Sequence, residues 1–240
     1  MISKAKISYL RSLQDKTTRY QEGVFIVEGR KSMLEYMDSD LEIIEGFFTE
    51  KFSEGNEFGF PISLVSESEL SRITTLNTND SGILLIKMRE NKLPKIQKNE
   101  LILVLDTIND PGNLGTVIRI ADWYGISHII ASRDTVDCYN PKVIMATMGS
   151  FARISIFYTD LDLYLSKISG KVYGAYLDGE STHTKKFDST GGYLVIGSEA
   201  HGITAELEKY VTDKITIPRF GLAESLNAGV ATAVILDRMV

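Results

Sequence analysis

Several features that identify common protein classes are missing from this 240-residue sequence. It contains one cysteine, Cys138, so no disulfide can form within the chain, and a structural zinc site lacks its usual ligands. No run of apolar residues approaches the roughly 18 that a membrane-spanning helix requires. The first residues also lack the apolar core of a secretory signal peptide. These absences predict a cytoplasmic protein without a membrane segment.

Motifs for nucleotide cofactors and for metals are missing as well. The sequence has neither the glycine pattern of dinucleotide-binding domains nor the glycine-lysine pattern of phosphate-binding loops. Its three histidines, His128, His183 and His201, are scattered without metal-ligand spacing. We therefore expect no bound metal, and a doubly wound enzyme for a small molecule is disfavoured.

Charge is unevenly distributed along the chain, although the net charge of −6 is modest. Residues 1–31 contain seven basic and three acidic side chains, whereas residues 32–60 contain one basic and eight acidic side chains. Clustered basic residues often contact phosphates in nucleic-acid-binding proteins. Two interpretations of the basic segment stay open: a contact surface for RNA, or a solvated helix face.

Alternating strand and helix patterns predict an α/β protein in two parts. An amphipathic helix followed by short strands and helices predicts a small α/β layer over residues 1–90. Residues 91–100 are polar and contain Pro94, which indicates a linker. Six strand patterns alternate with five helix patterns over residues 101–240, which favours a mostly parallel sheet covered on both faces.

Three strand–loop–helix units in the second part contain most of the residues that can do chemistry. The first has the buried strand pattern Leu101–Leu105, a loop broken by Pro111, and a helix pattern over Leu114–Tyr124. Ligand sites in open α/β sheets lie where such loops leave the carboxyl ends of strands. Asp106 and Asp110 lie in this loop, either as paired catalytic carboxylates or, more simply, as strand-end and turn residues.

The second and third units have the same order. In the second, a strand ends at Gly197, whose missing side chain lets a ligand approach the backbone, and Glu199 follows it. An exposed glutamate in a tight turn is the alternative. In the third, Ser225 is a candidate N-cap for a helix over Leu226–Met239. Asn227 is unexpected in a first helical turn, since asparagine competes with helical hydrogen bonds.

Three spaced patterns occur in these units: Asn113-x-Gly115-x-x-x-Arg119, then Gly197-x-Glu199-x-x-Gly202, then Ile217-Pro218 followed by Ser225-Leu226-Asn227. Together they resemble the motifs of the SpoU-type (TrmH family) RNA ribose 2′-O-methyltransferases of the SPOUT superfamily. The resemblance spans roughly residues 101–239, and one such motif alone would be weak evidence. Residues 25–29, Phe-Ile-Val-Glu-Gly, are similar to the small RNA-binding domain that often precedes this catalytic domain.

The resemblance implies a fold, a reaction and a site. The fold is a SPOUT domain with a mostly parallel sheet and a deep trefoil knot, which is rare among proteins, and it forms a homodimer with a shared active site. The reaction transfers a methyl group from S-adenosylmethionine to a ribose 2′-hydroxyl of RNA, with ribosomal RNA favoured. By motif, the cofactor contacts are Gly197, Ile217 and Leu226, and the catalytic group is Asn113, Arg119, Glu199, Ser225 and Asn227.

Arg119 has two candidate roles under this resemblance. Family models make it the general base, but a guanidinium with a pKa above about 12 resists deprotonation. Binding the adjacent phosphate and orienting the 2′-oxygen fits arginine better, and Glu199 can hold the guanidinium through two parallel hydrogen bonds. From local spacing alone, Arg119 is an exposed helix residue that pairs with Asp122.

Other functions for the whole chain stay open at this point. A transfer-RNA 2′-O-methyltransferase is one, and a methyltransferase acting on a base atom is another. A non-catalytic RNA-binding protein of the same family is a third, and the intact Arg119, Glu199 and Asn227 argue against it. The sequence does not identify the nucleotide that is modified.

Overall fold

The computed structural model describes residues 2–97, 99–188 and 191–240. It divides the chain into two compact units, Met1–Glu90 with Tyr139–Ala152, and Asn91–Cys138 with Arg153–Val240. The division at residue 90 coincides with the start of the expected linker. The sequence pattern assigns residues 139–152 to the C-terminal part, however, whereas in the structure they belong to the first unit.

Aromatic packing explains why Tyr139–Ala152 belongs to the first unit. The ring of Phe25 packs against those of Tyr139 and Phe151, with centroid distances of 4.9 and 6.1 Å. The guanidinium of Arg89 donates a hydrogen bond of 3.3 Å to the carbonyl of Phe151. Sequence periodicity identifies the buried face of a helix but not the element that covers it. The place of residues 139–152 in the first unit was therefore not predictable.

The first unit is a four-stranded sheet packed against helices. Its core contains Ile7, Leu10 and Leu13, which lie in phase on the amphipathic helix that the sequence pattern predicts over Ile2–Leu13. The strands are β1 (Val24–Glu28), β2 (Ile43–Phe48), β3 (Ile62–Leu64) and β4 (Gly82–Lys87), in the order β1-β4-β2-β3. The helices before residue 90 are α1 (Lys4–Ser12), α2 (Lys16–Glu22), α3 (Arg30–Met37), α4 (Glu50–Ser53) and α5 (Glu67–Leu70).

Two of these helices, α2 and α4, have no counterpart in the sequence prediction. Helix α2 has no apolar stripe, and its buried side chain is a charged one, Arg19, which is 2% exposed. Arg19 donates hydrogen bonds to the carbonyls of Leu13 at 3.0 Å and Gln14 at 2.7 Å. A buried guanidinium with its own acceptors is invisible to a search for hydrophobic periodicity.

The second unit contains a six-stranded sheet in which every pair of neighbouring strands is parallel. The predicted α/β architecture with a mostly parallel sheet is confirmed. The strands are β5 (Leu101–Leu105), β6 (His128–Ser132), β7 (Ser155–Thr159), β8 (Val172–Ser181), β9 (Gly192–Ile196) and β10 (Asp213–Thr216), in the order β10-β8-β9-β5-β6-β7. The remaining helices are α6 (Pro111–Trp123), α7 (Pro141–Thr147, within the first unit), α8 (Leu161–Leu165), α9 (Ala205–Glu208) and α10 (Ala228–Met239).

The described residues contain no membrane-spanning helix, no disulfide and no metal-binding cluster. Within them, none of the helices is both long enough and apolar enough to cross a bilayer. Cys138 is buried and forms no disulfide. In the same ranges no three histidine, cysteine, aspartate or glutamate side chains gather in a way that would hold a metal ion.

Candidate active site

The loops that follow β5, β9 and β10 meet at the carboxyl edge of the parallel sheet. Strands β5 and β9 are hydrogen-bonded neighbours with Leu105 opposite Ile196, so their loops leave the sheet side by side. The chain after β10 returns to the same edge, where the backbone N–H of Ala228 at the start of α10 donates to Oε1 of Glu199 at 3.1 Å. Strand order thus brings the three predicted motifs to the position where ligands bind in open α/β sheets.

One polar side chain from each motif contributes to a closed set of hydrogen bonds. The Nδ2 group of Asn113 donates to Oε1 of Glu199 at 2.9 Å. The Nδ2 group of Asn227 donates to the same oxygen at 2.9 Å and to Oδ1 of Asn113 at 2.6 Å. We call Asn113, Glu199 and Asn227 the amide–carboxylate triangle. It joins three segments that lie far apart in the sequence.

Two aspartates fix the loop that presents Asn113. Asp110 is the N-cap of α6, and its Oδ1 accepts a hydrogen bond of 2.8 Å from the backbone N–H of Asn113. Asp106 is 2% exposed, and its Oδ2 accepts a hydrogen bond of 2.7 Å from the backbone N–H of Thr204, the N-cap of α9. Of the two interpretations of these aspartates, the strand-end and turn role is therefore the one that their contacts support.

Asn227 caps helix α10, and this corrects the predicted cap at Ser225. The Oδ1 atom of Asn227 accepts hydrogen bonds from the backbone N–H groups of Gly229 at 3.0 Å and Val230 at 3.2 Å. The helix therefore begins at Ala228, two residues after the predicted start. Asparagine is favoured at an N-cap for this reason, which also explains its otherwise unexpected position. Both ends of the amide are used, since Nδ2 belongs to the triangle.

Gly197 is required by the path of its own loop. The loop folds back through two hydrogen bonds between Ser198 and Gly202, of 3.1 and 2.9 Å. A Cβ atom added at Gly197 would lie 2.0 Å from the carbonyl carbon of Gly202. The expected role, close approach by a ligand, is therefore joined by a second one, close approach by the chain itself.

A cavity of about 610 Å³ adjoins the triangle. Gly197, Ile217 and Leu226, the three residues expected to contact a cofactor, all line it, as do Glu199 and Ser225. The walls also include Ile196 and Ile215 from the ends of β9 and β10, Ile235 from α10, and the loop residues Pro218–Gly221, Ala223 and Glu224. Asn113, Arg119 and Asn227 are not among the lining residues. This volume is in the range of small-molecule sites.

The contribution of β8 to the cavity was not predicted from the sequence. Tyr176 and Leu177 line it, because β8 lies between β10 and β9 and extends to Ser181, whereas the sequence pattern predicts a strand over Val172–Tyr176. The hydroxyl of Tyr176 is buried and has no hydrogen-bond partner in the part of the chain that the structure describes. Burial, followed by the charge of Glu208, raises the pKa of Tyr176. Only the strand order, which periodicity does not provide, would have identified this tyrosine.

Arg119 differs from the rest of the predicted site. It lies on α6, is exposed, and makes no hydrogen bond or ion pair with residues 2–97, 99–188 or 191–240. The expected local pairing with Asp122 is wrong, because Asp122 accepts two hydrogen bonds from Arg153, at 3.0 and 2.7 Å. Pairing with Glu199 is also not formed within the chain, since Oε1 of Glu199 is used by the triangle and by the N-terminus of α10.

A partly exposed ionic cluster holds β10, the strand that leads into the cavity. Burial disfavours the charge on Asp213, but hydrogen bonds from Lys185, Thr212 and Lys171 outweigh that effect and lower the pKa of Asp213 to about 2. The same carboxylate, together with Glu180, raises the pKa of Lys185. The Nζ atom of Lys171 lies 3.0 Å from Asp213. These contacts fasten β10 to β8 and so position Ile217.

Models of known protein families match two segments of this chain. Residues 100–237 match the model of the SpoU rRNA Methylase family, and residues 4–83 match the MRM3-like substrate binding domain. A curated relative from Bacillus subtilis, the 23S rRNA (guanosine(2553)-2′-O)-methyltransferase RlmP, is 28% identical over 236 residues, which cover 96% of this chain and 94% of that protein.

Solved structures agree in fold over nearly the whole chain. A protein from Porphyromonas gingivalis assigned to the TrmH family of RNA methyltransferases is 33% identical with a TM-score of 0.88, covering 99% of this chain and 98% of its own. The rRNA methyltransferase of Sinorhizobium meliloti, solved with bound AdoMet, is 28% identical with a TM-score of 0.87, covering 99% and 95% of the two chains.

Proposed function

This chain belongs to the SpoU rRNA Methylase family, and we propose that it methylates a ribose 2′-hydroxyl of ribosomal RNA in the cytoplasm. It is an RNA methyltransferase that uses S-adenosylmethionine, the methyl donor bound in the Sinorhizobium relative. The observation that carries the proposal is the amide–carboxylate triangle beside a cavity lined by Gly197, Ile217 and Leu226. All three family motifs contribute to that arrangement.

The cavity fits this cofactor in size and in chemistry. Its apolar walls, including Ile217 and Leu226, suit an aromatic ring system, while backbone groups of the loops after β9 and β10 offer polar contacts. Tyr176 lines the cavity, and its hydroxyl has no hydrogen-bond partner in the described residues, so we propose it as a further polar contact. When bound, S-adenosylmethionine supplies a methyl group activated by its sulfonium sulfur.

The chain itself must orient the ribose and handle its proton. A ribose hydroxyl is a poor nucleophile, and a residue that accepts its proton contributes roughly 10²–10⁴-fold. We assign Arg119 to the RNA, where its planar guanidinium binds the neighbouring phosphate and fixes the 2′-oxygen. Ser225, exposed and beside the cavity, has a hydroxyl available to the ribose. The triangle holds Asn113, Glu199 and Asn227 in place before the RNA arrives.

A homodimer would explain why Arg119 makes no hydrogen bond or ion pair within the described residues of its own chain. We propose that it enters the active site of the partner subunit. Two features support this. Helix α10 buries Thr232 and Leu236 but leaves Val230 47% exposed, and Trp123 at the end of α6 is 84% exposed. Large exposed apolar side chains on adjacent helices are typical of an interface. Light scattering should give about twice the chain mass of 26.8 kDa.

We also propose the trefoil knot that family membership implies. Strand β10 lies at one edge of the sheet, yet the chain after it returns to pack α10 against α6. Its path passes the loop of Gly197 and Glu199, to which the start of α10 is hydrogen-bonded. If the segment is threaded, refolding from denaturant should show a slow phase that disappears when the chain is truncated before α10.

RNA recruitment is assigned to the first unit. Not every cation of residues 1–31 is available for it, because Arg19 is buried and Nζ of Lys6 is bound to Glu45 at 2.8 Å. We therefore rest the proposal on Lys4, Arg11 and Lys31, which are exposed and unpaired within the described ranges. Reversing their charge should weaken RNA binding. It should also reduce the slope of log affinity against log salt concentration by about 0.7 per lost contact on single strands.

The test of the proposed function is methyl transfer to RNA with the modified atom identified. Purified protein and S-adenosylmethionine with a labelled methyl group are incubated with unmodified ribosomal RNA and, separately, with unmodified transfer RNA, and the ribosomal RNA should become labelled. Alkaline hydrolysis then distinguishes the products, because a 2′-O-methyl group blocks cleavage at that nucleotide, whereas a methylated base does not. Label in a base, or label only in transfer RNA, would contradict the proposal. Mapping 2′-O-methyl sites in cells with and without the gene identifies the nucleotide.

A further inference from the structure

The first unit contains a pocket that the methyl-transfer site does not use. It has a volume of about 210 Å³ and lies between α3 and the chain from α4 to β3. We call it the phenylalanine pocket, and its lining includes Arg30, Phe52, Asn56, Glu57, Phe58 and Phe60. From this geometry we propose that the pocket binds an unpaired guanine base of the substrate RNA, an inference that rests on the proposed function.

Flat surfaces form most of the pocket. Phe58 and Phe60 are half-buried, with ring centroids 5.7 Å apart, and Phe58 packs on the fully buried Phe48 at 4.8 Å. The guanidinium of Arg30 lies over the ring of Phe52 at 5.2 Å. Unpaired RNA bases stack on phenylalanine rings and on arginine planes. The pocket has room for one planar ring system rather than for a folded segment of protein.

Besides the N–H donors of Arg30, the available polar side-chain atoms in the lining are acceptors. The Nδ2 group of Asn56 donates to the carbonyls of Phe52 at 2.8 Å and Glu54 at 3.4 Å, so the free atom of that side chain is Oδ1. Glu57 is exposed and its carboxylate has no partner in the described residues. Both groups can only accept hydrogen bonds. Guanine presents adjacent N–H donors on its Watson–Crick edge, whereas uracil presents one, between two acceptors.

Charge favours a neutral occupant and sets the direction of the RNA strand. The two charged residues that line the pocket, Arg30 and Glu57, have opposite signs, so the pocket offers no excess charge to a free cation or anion. Lys31 is exposed next to Arg30 at the start of α3, whereas α4 and the residue after it carry the exposed Glu50 and Glu54 against one exposed cation, Lys51. Phosphates flanking the bound base should therefore run along the start of α3 and avoid α4.

Binding of short labelled oligonucleotides to the full-length protein tests this inference. Fluorescence anisotropy should show that UUUGUUU binds at least about fivefold more tightly than UUUUUUU, given the usual net contribution of one additional hydrogen bond. The preference should disappear in Phe58→Leu, which retains an apolar side chain, and in Glu57→Gln. It should persist in Glu54→Gln, a matched control that removes the same charge three residues away, outside the pocket lining.

Three results would overturn the inference. One is equal binding of the two oligonucleotides, and another is an equal loss of preference in Glu54→Gln and Glu57→Gln, which would indicate general electrostatics. The third is pocket-dependent binding of a hexa-arginine peptide in place of RNA. Arg30→Lys, which keeps the charge but loses the plane, should also lose the preference, so the conclusion does not depend on how well Phe58→Leu folds. Methyl transfer is not measured in these experiments, so the proposed function and the pocket can fail independently.

Discussion

The amide–carboxylate triangle and Arg119 come from the same family motifs, but the structure treats them in opposite ways. Asn113, Glu199 and Asn227 are bound to one another at 2.6 to 2.9 Å. Arg119 is exposed, and within the described ranges it has no polar partner. Side chains that are already hydrogen-bonded before the substrate arrives can position the substrate and support the site. An unpaired cation is instead available to bind a phosphate or a second chain. A shared motif therefore does not imply a shared role.

Removing the free member should have the largest effect on turnover. Arg119→Ala should cut methyl transfer by at least about 10²-fold, as loss of a preorganised donor does in other enzymes. Arg119→Lys should also fail, because a point charge does not replace the planar guanidinium. Cofactor affinity, measured by calorimetry, should stay unchanged. Arg153→Ala is the control, since that arginine is already bound to Asp122; equal losses in both variants would remove the distinction.

Gly197→Ala should damage the fixed side of the site. The added Cβ would lie 2.0 Å from the backbone of Gly202, and forcing such overlaps costs on the order of 1–3 kcal/mol. We expect cofactor affinity to fall by roughly tenfold or more, with loss of methyl transfer. Gly221→Ala is a matched control, because Gly221 lines the same cavity and its added Cβ has no neighbour within 4 Å. Normal affinity in Gly197→Ala would show that the loop adapts.

Asn227→Ala tests whether the triangle does more than cap a helix. Loss of the N-cap alone should lower the free energy of unfolding by about 1 kcal/mol. Because Nδ2 also binds Glu199 and Asn113, methyl transfer should fall further than stability explains. Asn140→Ala removes the N-cap of α7 in the first unit and should lower stability to a similar extent without lowering the rate at saturating RNA. Parallel behaviour of the two variants would reduce the triangle to a cap.

The smallest effect is expected from Tyr176→Phe. If the buried hydroxyl binds the cofactor, its removal should weaken cofactor affinity by a few fold, as expected for one hydrogen bond of about 1 kcal/mol. Tyr210→Phe is the comparison, because it removes a hydroxyl bonded to Asp162 at 3.0 Å that does not line the cavity. Calorimetry on both variants decides the point, and an unchanged affinity in Tyr176→Phe would leave its hydroxyl without a role in the site.

Much of the second unit was predictable because its signals are local. Strand β5 matches its predicted bounds, and the strand–loop–helix order placed Asn113, Glu199 and Asn227 at one edge of the sheet. The side-chain partners were not predictable. The role of Asn227 as a cap depends on contacts between distant residues, and so does the missing pair between Arg119 and Asp122. Residue spacing contains no information about Arg153, the residue that binds Asp122 instead.

The first unit also depends on contacts between distant residues that its sequence pattern does not reveal. Its boundary near residue 90 follows from a polar, proline-containing segment, which sequence reveals directly. The inclusion of residues 139–152 depends on the packing of Phe25 against Tyr139 and Phe151, which periodicity does not reveal. One practical consequence concerns experiments on RNA recruitment. A fragment of residues 95–240 would carry this segment without its packing partners, so substitutions in the full chain are the better test.

Mixed dimers test most directly whether the fixed triangle and the free arginine belong to different chains. Arg119→Ala and Gly197→Ala subunits, each expected to be inactive alone, would be co-expressed with different tags and their methyl transfer measured together. If Arg119 acts on the partner, hybrids contain one complete site, and random mixing should restore about a quarter of the wild-type rate, since half of the dimers of this symmetric type are hybrids. Mixed dimers as inactive as either parent would contradict the account.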